Sequence, residues 1–308
     1  MINKYKVDVI GSSRYTGKMR CPKCIVKQTE VLDPNKRGLD FKKYGSYRRK
    51  SDSRTIKRFY CKRCKNTYSH AIKDPAYYQK KRRVNHLLKC FFSSSVSLRR
   101  SAKLLGISRT TAARKLIFLG QLCRDEHLRY LEQIEGTVPL IQFDELQTIE
   151  HTKCKPLAVA LAVSVKNRKI LGVSVAKMPA TGHLAKIARK KYGFRPDERQ
   201  SKLRDLFRDI QKALHKTPHI RSDRHPYYKP LVETVFPTAR YEQIRGDKAA
   251  ICGQGELKKR GNDPLFYINH TLAMLRANIN RLIRKTWCTT KDPSRLLDHL
   301  FIYISVHN

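Results

Sequence analysis

The sequence predicts a multidomain α/β protein. Two Cys-x-x-Cys pairs lie within the first 64 residues. A run from Ser97 to Leu116 has the spacing of two short helices around a glycine. From Val138 onward, strongly apolar strands alternate with amphipathic helices. Three segments are expected, at 1–75, 76–134 and 137–308.

Charge narrows the partners. Lys and Arg total 66 against 25 acids, a net charge of +41 over 308 residues. Such self-repulsion disfavours a compact chain unless a polyanion offsets it, which points to nucleic acid. A basic solvated surface is the plain alternative, and a membrane surface is a weaker one. No apolar run is long enough to span a bilayer and no signal peptide stands out. Nine cysteines, an odd number without a secretory signal, suggest reduced thiols in a cytoplasm. Cys90, Cys123, Cys154, Cys252 and Cys288 read as small buried apolar residues.

In the first segment, Cys21-Pro22-Lys23-Cys24 and Cys61-Lys62-Arg63-Cys64 are two knuckles flanked by basic residues. Two thiolates from each turn make a tetrahedral set, so a structural zinc ribbon is expected. Two unrelated redox pairs are the alternative, but neither opens a βαβ pattern. Lys36-Arg37, Lys42-Lys43, Arg48-Arg49-Lys50 and Arg54 lie between the knuckles, interleaved with Phe41, Tyr44 and Tyr47. A basic hairpin or loop that tracks phosphates is expected there, or else a solvated insertion.

In the second segment, Asp74-Pro75 breaks the chain, and Tyr77 to Phe92 reads as a helix with a basic face. Ser97 and Ser108 are N-cap candidates around Gly106, which can end the first helix in a left-handed conformation. This is the pattern of a helix-turn-helix. Arg109, Thr110, Thr111 and Arg114 would then face a DNA major groove. An ordinary helical hairpin is the alternative. Residues 121–136 read as a polar helix and linker, and Trp287 much further on reads as core.

In the third segment, strands are expected at Val138–Glu145, Pro156–Val165 and Ile170–Ala176. Helices follow at His183–Lys191 and Ser201–His215, then a strand at His219–Asp223, a helix at Tyr227–Val235 and a strand at Arg240–Ile244. A final helix from Ser294 to His307 would pack on the sheet. This order suits a ribonuclease-H-like mixed sheet with flanking helices. In such a sheet the first and fourth strands are neighbours, so Asp144 and Asp223, at two strand ends, would meet. Paired carboxylates there suit magnesium or manganese and phosphodiester chemistry. Each aspartate also has a bland reading, as a turn or helix cap.

Together, the four cysteines, the Ser97–Leu116 pattern and the strand-borne acids resemble bacterial insertion-sequence transposases of the DDE type. The small members related to the first insertion element described are the best match. Asn269 to Arg276, followed by Arg281-Leu282-Ile283-Arg284-Lys285-Thr286, resembles that family's third-acid helix and its basic tail. The resemblance implies cleavage of double-stranded DNA at terminal inverted repeats, transfer to target DNA, and a dimer or larger assembly on DNA. It implies a third metal ligand at Asn269, where the family usually has Glu. Asn supplies a carbonyl oxygen but no charge. Glu256, 33 positions after Asp223, is the rival. Arg276, and with it Arg281 and Arg284, would touch DNA. An inactive DNA-binding regulator of the same fold is the alternative function, and a junction-resolving host nuclease is a further one. The localisation implied is a bacterial cytoplasm, on the nucleoid.

Overall fold

The computed structural model describes residues 21, 23–24, 41–50, 53–245, 263–283 and 287–308. Among these it is a mixed α/β protein with two sheets and eight α-helices. Contacts divide the chain into two units, Met1–Val84 and Asn85–Asn308.

The first unit holds an antiparallel sheet of β1 (Phe41–Arg48), β2 (Thr55–Cys61) and β3 (Thr67–Ser69) in that order. Among its described residues, Phe59, Tyr68, Cys21 and Cys61 are buried together, with Phe41 edge-on to Phe59 at 5.4 Å. The expected basic hairpin is ordered here, with Lys42, Lys43, Tyr44 and Tyr47 exposed on β1. Lys36 and Arg37 lie outside the described residues. Arg58 stacks over Tyr44 and Lys42 over Tyr60, which stiffens the cations on the hairpin. The helix expected from Tyr77 forms only as α1 (Asn85–Phe92). Before it, Asp74 accepts from the Ala76 N–H and Lys81 takes φ +52°, so local turn hydrogen bonding displaces the helix.

The second unit continues with α2 (Leu98–Leu104) and α3 (Arg109–Gln133). Ser97 accepts from the Arg100 N–H at 3.2 Å and Ser108 from the Thr111 N–H at 3.1 Å, as the capping pattern requires. Gly106 between them has φ +60°. The polar helix and linker expected at 121–136 are the second half of α3, because Ala112, Leu116, Leu119, Cys123, His127 and Leu131 form one unbroken buried stripe.

The large sheet contains β4 (Val138–Glu150), β5 (Thr152–Ser164), β6 (Ile170–Lys177), β7 (Leu214–Asp223) and β8 (Arg240–Ile244). The order is β6-β5-β4-β7-β8. β4, β5 and β6 form an antiparallel meander, whereas β7 and β8 join parallel. Helices α4 (Leu184–Tyr192), α5 (Arg199–Ile210), α6 (Tyr228–Val235), α7 (Phe266–Asn278) and α8 (Pro293–His307) complete it.

Both faces of this sheet are covered, which explains strands with little polar alternation. Ile141 and Phe143 of β4 pack with Leu203, Leu206, Phe207 and Ile210 of α5 and with Tyr228 of α6. Each such buried side chain contributes about 1.5–3 kcal/mol. The expected helix Ser201–His215 stops at Ile210, and β7 starts at Leu214 rather than His219. Leu214 fits both patterns. It continues the helical spacing of Leu206 and Ile210, and it starts the buried alternation Leu214, Pro218, Ile220, Ser222. α8 is capped by Asp292 and packs on α3 as well as β6.

Candidate metal and nucleic-acid sites

The four cysteines come together. The sulfurs of Cys21, Cys24, Cys61 and Cys64 all lie within 4.8 Å of one another. Cys21–Cys64 is 3.5 Å and Cys24–Cys61 is 3.7 Å. A tetrahedral zinc with Zn–S bonds of about 2.3 Å needs sulfurs about 3.8 Å apart, so the donors fit it without rearrangement. The backbone N–H of Asn66 pulls the Cys64 thiol down to about 6, so it is thiolate at neutral pH. Burial pushes Cys21 and Cys24 upward, a cost that a bound cation offsets. Four thiolates leave no open coordination position, so the set suits a structural ion.

A second constellation forms where β4 and β7 run side by side. Their parallel register pairs Ile141 with Ile220 and Gln142 with Arg221. The pairing ends there, and Asp144 and Asp223 each follow two residues further on their own strand. Both continue the Gln142–Arg221 side of the sheet, because side chains alternate with period two. Asp144 is not at a strand end as expected. β4 runs on to Glu150, paired only with β5 beyond this point. It is β7 that stops, at Asp223.

Gln142 is the residue that sequence reasoning missed. It is buried, flanked by apolar Ile141 and Phe143. Its Nε2 donates to the Pro264 carbonyl at 2.8 Å, and its Oε1 accepts from the Ile268 N–H at 3.1 Å. The Ile268 N–H belongs to the first turn of α7, which has no partner within its own helix. A β4 side chain therefore caps α7 through space and locks its start beside the acid-bearing strands. One residue on, Asn269 donates its Nδ2 to Asp263 Oδ2 at 2.6 Å. The other carboxylate oxygen of Asp263 accepts from the Leu265 N–H at 2.9 Å. A polar residue inside an apolar strand, two positions before a carboxylate, was the signal available for Gln142.

Glu145 points to the opposite side of β4. Tyr227 donates to its Oε2 at 2.5 Å, and burial raises the carboxyl above its ordinary range. Beside it, Arg199 binds Asp197 at 2.6 Å, and that hydrogen bond holds Asp197 below the usual range. Burial lowers His225, which rests against the Tyr227 ring at 4.2 Å. Tyr227 and Tyr228 are raised, first by burial and next by Glu145. These groups wall the far side of the acid pair.

Arg109, Thr110 and Arg114 are exposed on the first turns of α3, whereas Thr111 is half-buried with its hydroxyl bonded to Ser108 at 2.9 Å. Arg276 is half-buried on α7, two turns past Asn269. Arg281 is half-buried; burial lowers it, while Cys288, Asp292 and Asp298 oppose that shift. Glu256 and Arg284 lie outside the described residues. Trp287, expected in the core, is instead fully exposed at 101%. No helix among the described residues is long and apolar enough to cross a membrane.

A comparison with protein-family models and with curated proteins gives no match.

Proposed function

We propose that this chain is a DNA transposase of the DDE type that binds the ends of its element and performs metal-dependent strand cleavage and transfer. One observation carries the reading. Parallel pairing of β4 with β7 ends at Gln142–Arg221, two residues before Asp144 and Asp223 on the neighbouring strands, and Gln142 ties the Asn269 helix to β4. The strand order and directions, with three antiparallel strands followed by two parallel ones, support a ribonuclease-H-like sheet. The serine caps around Gly106 support a helix-turn-helix.

The donor set is hard oxygen throughout: two carboxylates and one amide carbonyl, which suits magnesium or manganese. Such an ion supplies positive charge for in-line displacement at phosphorus. Asp144 and Asp223 would hold it, and Asn269 would complete the set with its carbonyl oxygen. Arg276, on the same helix face as Asn269, meets the phosphate next to the cut. The first displacement breaks a P–O bond with water as nucleophile and frees a 3′-hydroxyl. In the second, that hydroxyl attacks a target phosphate and displaces its 3′-oxygen. The zinc-ribbon hairpin and the start of α3 would recognise the terminal repeats, with phosphate contacts setting position and base contacts setting sequence.

The test is cleavage of a labelled duplex carrying the element's own ends, with magnesium or manganese. Wild type should nick it and Asp223→Ala should not. Tight, salt-dependent binding without cutting under either metal would leave the regulator reading instead.

A further inference from the structure

We propose that Asp263 is a positioning residue of the metal site: it holds Asn269 so that the amide oxygen, rather than the nitrogen, faces Asp144 and Asp223. This rests on the reading of those acids as metal ligands. A neutral Asn poses two problems for such a site. Its side chain is nearly symmetrical in shape, so either the oxygen or the nitrogen could be presented. It also brings no negative charge to a cation.

Asp263 answers both. An ionised carboxylate only accepts, so the atom of Asn269 that lies 2.6 Å from Asp263 Oδ2 must be the donating nitrogen. Chemistry rather than fit therefore fixes the amide orientation, and the carbonyl oxygen is left for another partner. The carboxylate itself is fixed from behind, because its Oδ1 accepts from the Leu265 N–H at 2.9 Å. Gln142 clamps the carbonyl of Pro264 and the N–H of Ile268, residues that adjoin Asp263 and Asn269. Asp263, which precedes the helix, and Asn269 in its first turns are thereby tied to the strand that bears Asp144.

The charge argument runs the same way. A hydrogen bond from an amide N–H to an ionised carboxylate polarises the amide and makes its oxygen a stronger donor to a cation. Partners one step behind a metal ligand set its orientation and basicity in this manner.

The experiment is titration of the zinc-loaded, full-length protein with manganese, followed by electron paramagnetic resonance. Asp263→Asn and Asp263→Ser both keep an acceptor for the Leu265 N–H, but neither carries the charge. Each should weaken manganese binding about tenfold or more, within the range seen for such partners, at an unchanged melting temperature. Asp263→Glu restores charge and acceptor and should recover most of the affinity. Wild-type affinity in Asp263→Asn and Asp263→Ser, with binding abolished in Asp223→Ala, would overturn the role of Asp263 alone. So would an affinity loss that only tracks a lowered melting temperature. If Asp223→Ala also binds manganese like wild type, the metal-site reading falls, and this proposal falls with it.

Discussion

At the scale of single residues, buried polar side chains determine how the second unit is joined. His299 is an example. It lies on the inner face of α8, and its Nε2 donates to the Phe92 carbonyl at 2.6 Å. Burial is the main cause that lowers it from 6.5 to about 4, with Arg281 adding to the effect. Folding thus favours the neutral imidazole, while the unfolded chain takes up a proton near pH 6.5. The stability from this group is whole above pH 6.5 and is lost as the pH falls through 4. At about 1.4 kcal/mol per pH unit, wild type should lose on the order of 2 kcal/mol between pH 7 and pH 5. Urea unfolding at the two pH values measures this. His299→Gln should flatten the difference, and an equal loss in the variant would assign it to other groups. Nothing in the sequence marked His299, because a histidine between Asp298 and Leu300 on an amphipathic helix has no local signature.

At the scale of elements, helix approach is governed by one glycine. Gly120 lies in the middle of α3, where a Cβ would come 2.4 Å from Cβ and 2.7 Å from Cα of Asp298 on α8. One of those contacts is backbone, so no side-chain rotation relieves it. Gly120→Ala should therefore cost about 3 kcal/mol even though alanine is the better helix former. Chemical denaturation of the variant checks this, and a stabilised protein would mean that the two helices can separate. The elements themselves were largely legible. α8, α6 and β8 follow the expected spans because apolar period, caps and proline agree there. Element boundaries failed where two periods overlap, as at Leu214, and where local turn chemistry beats a helical pattern, as at Lys81.

At the scale of the whole molecule, the chain is two units with unequal cores. The second buries its sheet on both faces. Among the described residues, the first has a handful of buried apolar side chains around four cysteines, the kind of small core that a metal staple supports. Stripping the proposed zinc with a chelator should therefore raise amide exchange in β1, β2 and β3, and leave β4, β5 and β7 protected. Unchanged protection of the small sheet after verified zinc loss would show that its core suffices alone. The net charge of +41 belongs to this scale too. It makes a polyanionic partner favourable but does not choose a sequence or a register.

What the sequence by itself determined is local: the two cysteine knuckles, the serine caps around Gly106, the apolar strands and most helix spans. Each is written in spacings of a few residues, where one element's period and punctuation suffice. Only the tertiary structure decided that Gln142 of β4 pairs with Arg221 of β7, that Gln142 caps α7 from another element, and that α3 and α8 touch at Gly120. The physical reason is that strand register and close helix approach are set by packing between elements far apart in the chain. No local period records which residue faces which across that distance. Asp263 and Asn269 are only six residues apart, yet their pairing became legible only once Gln142 had fixed the start of α7.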